Sequence, residues 1–547
     1  MAATETDSRL PVVRPSSPQY WEDSRTNQQQ ISNDNSRVDG EIDESVVIVG
    51  QRQEEELEED VPGGSVCNSG LVGDQTQLEK AEGKIRDLEK ELHPSLNDQE
   101  PNWDQDSSET TTDDQGDDGQ ESTPERSVER ILSSHRKHIF ILSEAGKPIY
   151  ARHGCEEEFS SLVGVILTLS SLCEVHDDCL EWFRCGSWKM VFVRHGPVIF
   201  AAAARNQESV AQLAGQIDLL YHLTLSVLTK NQLAKVFDRR KNFDLRRLLT
   251  GTDSCFHTIV TTAARDPSLT LGAVRCLHMD KTVRDNLAQA IVTAASTCKI
   301  KNLVFAIVIA KDQLVTMVRM KRYLLHSSDL HLLINLVACN PSFRNAETWA
   351  PICLPRFDDT GFLHAHISYL SDSCPACLIM LTVDRHAFSA LSEMKSKIVE
   401  RLKRLRLMTA IADACKHSTG VRISEAAIPD LWHFLYKNRT QLQLCWAVFE
   451  SPYVTAEEKR QLVQAYMSVI NSVHYSSDSL TEKSLLRSCF VPGERQTILA
   501  WVTSNFEVYV TFSPLTLKQA AMAKVERLLK WLKKEEERLF ILSSHFF

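Results

Sequence analysis

Four residues with thiol or imidazole donors lie close together in this chain, Cys173, His176, Cys179 and Cys185. Zinc takes four such ligands in a tetrahedron. Here the first three fall at i, i+3 and i+6 near a helix end, a spacing that does not converge on one ion. Cys374 and Cys377 form a lone CxxC around Pro375 and Ala376. With no second pair, core packing is the better reading. His364 and His366 alternate with Leu363, Ala365 and Ile367, which sends both imidazoles to one face of a strand. A ligand pair is one reading of that face; a surface turned to solvent or a partner is preferred. No metal and no cofactor is expected.

Other chemistry is missing by motif. The chain has no GxxxxGK[ST], no GxGxxG after a strand, no GxSxG elbow and no HExxH. The usual signals for nucleotide hydrolysis, dinucleotide binding, acyl transfer and zinc proteolysis are therefore absent, which argues against a conventional enzyme. Fifteen cysteines are scattered without framework spacing. In a long cytosolic chain such thiols are expected to be reduced and mostly buried.

One stretch concentrates positive charge. Lys395, Lys397, Arg401, Lys403, Arg404 and Arg406 face a single acidic residue, Glu400, with Ile398, Leu402, Leu405 and Leu407 interleaved. A solvated helix face is the plain reading, and contact with anionic lipid is the sharper one. Nucleic acid is not expected, because no array of stacking aromatics accompanies the charge.

The elements that position these residues start at 135. Two apolar runs, His138 to Leu142 and Pro148 to Ala151, flank Ser143, Glu144, Ala145, Gly146 and Lys147, which is the chemistry of a β-hairpin with a short glycine-containing turn. A helix over 156–175, strands over 189–194 and 198–204, and a long helix over 208–228 follow. After a connector with a helix near 280–295, the order recurs: strands 303–310 and 314–320, a helix 328–338 capped by Ser328 or Asp329, strands 361–370 and 376–383, and a helix 387–407. A third pass runs from about 425, with 442–449 extended, a helix 455–473, a hairpin of 497–502 and 506–512, and a closing helix 515–532. Three copies of one α/β module explain this better than one large sheet.

Ahead of them lies a different kind of sequence. Residues 1–130 carry 33 acidic against 11 basic side chains, while the remainder carries 39 against 50, so the overall charge of -11 hides a basic body behind an acidic tail. The tail has too little apolar surface to offset chain ordering and is expected to be disordered, apart from a short helix over 77–92. Ser107, Ser108, Ser122, Thr123 and Ser127 lie near acidic residues or proline and could accept phosphate; a solvating tail is the plain reading, and one that masks the basic body until displaced or modified is the sharper one. There is no secretory signal and no apolar run of the ~20 residues that span a bilayer. That points to a cytosolic chain with at most peripheral membrane contact.

The segments HIFILSEAGKPIYARHG, SSLVGVILTLSSL and KMVFVRHGPVIF, with FAIVIAKDQLVTMVRMKRYLLHSSDLHLLINLV and GFLHAHISYLSDSCPACLIMLTVDRHAF further on, closely resemble the SAND (Mon) family of vacuolar and endosomal fusion proteins. The resemblance covers essentially all of 135–547, and the length and acidic tail are similar to those of the family's vertebrate homologue B. It implies a tri-longin α/β architecture, in which each module is a mostly antiparallel sheet flanked by helices. The expected division is a tail at 1–134, a first longin-like domain at 135–250, a helical connector at 251–298, a second domain at 299–410 and a third at 425–547.

The resemblance also implies a heterodimer with a Ccz-type longin partner through the first domains. That complex would promote nucleotide exchange on a late-endosomal Rab GTPase, with the early-endosomal Rab as a further partner, at an anionic endosomal membrane. No nucleophile is carried over, because an exchange factor works by binding the nucleotide-free GTPase better than the loaded form. The GTPase-facing surface is placed around Trp182, Arg184, Trp188 and Lys189 as exposed anchors, against a core tryptophan and solvated charges as the alternative. A non-enzymatic longin-type trafficking adaptor is the competing function.

Overall fold

The computed structural model describes residues 135–153, 160–175, 178–205, 208–241, 243–417, 420–475 and 486–547. The expectations for the acidic tail, its phosphate acceptors and the helix over 77–92 lie outside the described residues, as does His176.

The first module begins with the hairpin read from the sequence, β1 (Lys137–Ser143) and β2 (Pro148–Ala151), turned at Gly146 with φ of 80°. That left-handed conformation is the one glycine enters without a Cβ penalty. Then come α1 (Ser160–Val175), the strands β3 (Trp182–Cys185), β4 (Trp188–His195) and β5 (Val198–Ala204), and the helices α2 (Val210–Val227) and α3 (Lys230–Arg239). The strands form one antiparallel sheet in the order β2-β1-β5-β4-β3. Alternation along β1 divides its side chains between two cores. Ile139 and Ile141 join Val191, Phe200 and the α2 residues Leu213 and Ile217; Phe140 and Leu142 join Phe192, Leu162 and Ile166 under α1. A capping box at Ser209 and Gln212 starts α2.

A helix α4 (Asp253–Arg265), a two-residue strand β6 (Val274–Arg275) and α5 (Lys281–Cys298) lead to the second module: β7 (Leu303–Ala310), β8 (Gln313–Arg319), α6 (Ser327–Cys339), β9 (Thr348–Leu354), β10 (Asp358–Ser371), β11 (Cys374–Thr382), α7 (Phe388–Arg404) and α8 (Leu407–His417). Lys311 and Asp312, with φ of 48° and 60°, make the tight turn between β7 and β8. Two successive left-handed residues match the twist of the strands they join. The third module is β12 (Leu431–Asn438), β13 (Gln443–Trp446), α9 (Ala456–His474), β14 (Ser488–Val491), β15 (Thr497–Val502), β16 (Phe506–Phe512) and α10 (Lys518–Lys534), with β17 (His545–Phe546) at the chain end.

Within each module the five strands follow one order: second, first, fifth, fourth, third. The repeated pattern is thus one topology three times. What the pattern did not contain is that the second and third sheets each have six strands. β17 pairs in parallel with β8, and β6 pairs in parallel with β13. One residue beyond β6, Cys276 bridges to Leu314 in β8, so this segment touches both sheets.

Arg284, 2% exposed, ties the same region together. Its guanidinium donates to the carbonyls of Leu277, Glu537, Phe540 and Arg538 at 2.9–3.4 Å. Gln443 exchanges side-chain hydrogen bonds with the backbone of Ile541 at 2.8 and 3.1 Å. The first module docks through α2, whose Gln212 donates to Met467 O at 2.7 Å and whose cap Ser209 bonds Asn471 at 2.5 Å, both in α9.

Several local expectations are corrected. The strands β3, β9, β12 and β14 were not foreseen. In 442–449 only Gln443–Trp446 is strand, and α10 starts three residues later than expected, leaving Leu515 and Leu517 exposed. The cap of α6 is His326, whose Nδ1 accepts from Ser328 N at 3.1 Å, rather than Ser328 or Asp329. One cysteine pair also departs from the reduced state expected throughout: Cys255 and Cys339 are joined by a disulfide across 84 residues.

Candidate partner interface

The residues singled out for chemistry are dispersed by the fold. Cys185 lies in the core under α1, Cys173 is in the last turn of α1 and Cys179 is exposed. Among the described residues no group of three or more His, Cys, Asp or Glu is arranged to hold a metal. Cys374 and Cys377 occupy the single strand β11. Their odd spacing sends Cys374 into the core shared with α5 and α7, and Cys377 into the core under α6. Burial pushes the Cys377 thiol up to about 12.

The preferred reading of His364 and His366, a face open to solvent or a partner, is overturned because α7 covers it. His366 is fully buried, bonded to Glu347 at 2.9 Å and against Phe388. His364 stacks on Trp349 with ring centroids 5.6 Å apart. Glu347 also receives Lys395 at 2.9 Å. Burial alone would raise the Glu347 carboxyl, but Lys395, Ser392 and His366 hold it down to about 2. Lys395 is therefore a structural cation, not a free lipid contact.

The rest of the basic stretch divides in the same way. Ile398 and Leu402 are fully buried, and Leu407 at the start of α8 is buried too, so the apolar side of α7 is already used by the second module's core. Lys397 pairs with Glu393 and Arg404 with Glu400 one turn away. Lys403, Arg404 and Arg406 project around Leu405, itself 49% exposed, at the end of α7, with Arg401 half-buried beside them.

Trp182, Arg184, Trp188 and Lys189 sit on the β3–β4 hairpin, but not as one patch. Trp182 opposes Val191 and Arg184 opposes Lys189, on the side of the sheet facing α2; Cys185 opposes Trp188 on the side facing α1. Trp188 is 2% exposed, which corrects its placement as an exposed anchor. Lys189 donates to the carbonyl of Glu208 just before α2. Glu208 also pairs with Lys137 at 3.0 Å, and Lys137 bonds Gln216. Burial drives the Lys137 amine below its ordinary pKa, with Glu208 working against that shift. Lys189 and Lys137 thus fasten the start of α2 to the sheet. Trp182 is half-buried at the margin of the α2 core, and Arg184 is exposed, bonding only its own turn at Gly186 O, 3.2 Å away, among the contacts described.

What remains on the surface of the first module is edge. β3 ends the strand order and, among the described residues, pairs on one side only, with β4. A strand edge presents unpaired backbone donors and acceptors to another chain. No signal in the WFRC sequence announced this; the strand becomes visible once Trp188–His195 is seen to pair with it.

The third module contains a polar cluster that sequence reading missed. Glu507, 1% exposed at its side chain, accepts from Lys437 at 2.8 Å and lies 2.8 Å from His474. Tyr509 adds a hydroxyl at 3.0 Å. Burial would raise this carboxyl, yet His474 and Lys437 hold it down to about 2. The cluster is closed by its own members and positions β12 against β16 and α9.

Comparison with known proteins agrees with this architecture. Models of the first, second and third longin domains of FUZ, MON1 and HPS1 match residues 137–259, 301–400 and 430–536. The chain is 41% identical over 409 residues to vacuolar fusion protein MON1 homolog A of Gallus gallus, covering 75% of this chain and 72% of that protein. It is 39% identical over 427 residues to protein SAND of Takifugu rubripes, covering 77% and 80% respectively. Against human vacuolar fusion protein MON1 homolog B it is 35% identical over 427 residues, covering 75% and 76%. With three longin domains in tandem and this extent of identity, the chain belongs to the MON1 (SAND) family of vacuolar fusion proteins.

Proposed function

We propose that this chain serves vesicle trafficking as one subunit of a guanine nucleotide exchange factor. With a Ccz-type longin partner it would release GDP from a late-endosomal Rab GTPase, take its cue from the early-endosomal Rab, and promote endosome maturation and the fusion of endosomes and autophagosomes with lysosomes. The observation that supports this reading is the first module itself: helices cover both faces of its sheet, while among the described residues its margin at β3 pairs on one side only. An exchange factor needs a shaped surface that prefers one state of its GTPase, not a nucleophile. Trp182 and Arg184 are the side chains offered at that margin; Trp188 and Lys189 support it from within.

No helix among the described residues is long and apolar enough to cross a membrane. Recruitment to an anionic endosomal surface is assigned to the cationic end of α7, chiefly Lys403, Arg404 and Arg406 beside Leu405. The decisive measurement is release of fluorescent GDP from a panel of purified Rab proteins, with and without a co-purified Ccz-type partner. Acceleration of one late-endosomal Rab only when the partner is present supports the proposal. Rab binding with no change in GDP release transfers the reading to a trafficking adaptor.

A further inference from the structure

We propose that Cys255 and Cys339 form a reversible dithiol–disulfide switch that fastens the first module to the second, with a glutathione-type disulfide as its oxidant. The two residues sit on different modules. Cys255 is on α4, which contributes Phe256, Ile259 and Val260 to the core beneath the first sheet. Cys339 is the last residue of α6, whose Leu330, Leu333 and Val337 belong to the core of the second sheet, while Leu332 and Cys339 itself reach the first module's core, so α6 sits at the junction. Their Cα atoms are 5.4 Å apart, within the separation a disulfide requires without moving either helix.

The surroundings suit a bond that both forms and opens. Cys255 is 6% exposed, whereas Cys339 is partly exposed at its helix end, so an incoming disulfide meets Cys339 first. The Nδ2 of Asn340 lies 3.2 Å from Cys339 Sγ and 4.0 Å from Cys255 Sγ, with its carbonyl anchor at Leu336 O, 2.9 Å away. A donor held at the sulfur favours the thiolate, which is the nucleophile in exchange.

The chemistry balances without further reagents. The Cys339 thiolate attacks one sulfur of oxidised glutathione, forming the Cys339–glutathione mixed disulfide and expelling one glutathione thiolate. The Cys255 thiolate then attacks Cys339 Sγ and expels the second. Two protein thiols are oxidised to one disulfide, one glutathione disulfide is reduced to two thiols, and the protons pass to the released glutathione. Reduced glutathione runs the sequence backwards.

Reduction does not separate the modules. Asn335 Nδ2 still donates to Cys255 O at 3.0 Å, and α2 still lies against β9. It removes the one disulfide cross-link that the described residues add to the chain connection across this junction, leaving contacts that open and close. Between α3 and the second module the remaining polar contacts are exposed ones, Lys230 with Asp359 at 3.3 Å and Asn231 with Thr360 O at 3.3 Å.

The test uses the full chain, reduced and then equilibrated anaerobically in buffers of graded reduced-to-oxidised glutathione. After acid quenching, differential alkylation and peptide mass spectrometry should show Cys255 and Cys339 becoming protected together as one linked peptide pair, and released again in reduced glutathione. Hydrogen exchange should slow by about tenfold in 253–265 and 327–340 on oxidation, with no change in α10. In Cys255→Ser, Cys339 should stop at the glutathione adduct. Equal alkylation of both thiols at every ratio, pairing with other cysteines, or a linked pair that reduced glutathione cannot open would each overturn the switch. Linkage without any change in hydrogen exchange would overturn the fastening. The titration of the unmodified chain requires no variant, so a misfolded mutant does not decide the outcome.

Discussion

The first module and the two that follow share one strand order but treat their sheet edges differently. In the second module the edge at β8 is taken by β17, and in the third the edge at β13 is taken by β6. Both added strands come from outside the module's own five-stranded pattern, one from the chain end and one from the connector. In the first module the corresponding edge, β2, has no such addition among the described residues, and neither does β3 at the far side. Both are only four residues long, and β2 opens with Pro148, which has no N–H to offer. Short strands and edge prolines keep a free edge from promiscuous pairing while leaving it accessible to a shaped partner. The borrowed strands make one body of the second and third modules; the first is attached through helix packing and a disulfide.

The largest effect is expected where the borrowed segments are tied down. Arg284→Ala removes the guanidinium donor from the backbone carbonyls at 277, 537 and 540, leaves that of Arg538 to Met279 N alone at 3.3 Å, and empties a buried site, at a cost of about 3–5 kcal/mol. Chemical denaturation of the full chain should register the loss, and hydrogen exchange should place it in the second and third modules; a variant as stable as the parent would remove Arg284 as the hub.

Next comes the contrast inside the β3–β4 hairpin. Trp188→Ala should destabilise the first module by about 3–5 kcal/mol, because a buried indole leaves a cavity. Arg184→Ala should shift the same denaturation midpoint by no more than ~0.5 kcal/mol, yet reduce capture of the nucleotide-free Rab GTPase by roughly tenfold. If Arg184→Ala leaves capture intact, the interface does not run along β3.

Acidification should separate the second and third modules by sign. His433 in β12 is fully buried, and burial lowers its pKa to about 3 from 6.5. As pH falls below 6.5 the unfolded chain takes up a proton that the fold refuses, so stability drops between about 6.5 and about 3. At pH 4 the contribution is on the order of 3 kcal/mol. Asp329 in the second module works oppositely. Burial raises its carboxyl to about 7 from 3.8, so the fold holds a proton that the unfolded chain releases, and stability is lost as pH rises from about 3.8 to about 7. Comparing pH-dependent unfolding of the parent with His433→Gln and Asp329→Asn isolates each term. His433→Gln should flatten the acid limb and Asp329→Asn the neutral one; parallel curves would refute both assignments.

The smallest effect is expected from removing the chain end. Deleting 545–547 exposes the edge of β8 and removes the Phe546 ring beneath Arg319, 4.9 Å from its centroid. A loss of about 1 kcal/mol is expected, with faster hydrogen exchange in 313–319 and unchanged partner capture. Lost capture would show that the second module's closed edge, rather than the first module's open one, faces the partner.

Much of the fold was legible because its strongest signals are local. The hairpin at 135–154, the apolar run of β7 and the cap at Thr455 with Glu458 each state their conformation in a few adjacent residues. β12 was missed for the opposite reason. His433 and Lys437 interrupt its apolar pattern, yet both are buried against partners far away in sequence, Tyr466 and Glu507. The histidine pair on β10 misled in the same way: alternation put both rings on one face correctly, and only α7 determined that this face is covered.

The sequence by itself determined three repeats of one α/β pattern, the acidic excess of the first 130 residues, the absence of familiar catalytic motifs and, through the segments over 138–200 and 305–388, a resemblance to the SAND (Mon) family. Periodicity, capping and turn chemistry act over a few residues, so one chain suffices to read them. Only the tertiary structure decided that Trp188 is core, that Lys395 and Lys189 are fastened inward, that Cys255 meets Cys339, and that two-residue strands take one edge of two of the three sheets. Those features depend on which distant surfaces touch. Two residues of β6 or β17 carry no pattern of their own, and they become strands because a neighbouring edge supplies the hydrogen bonds.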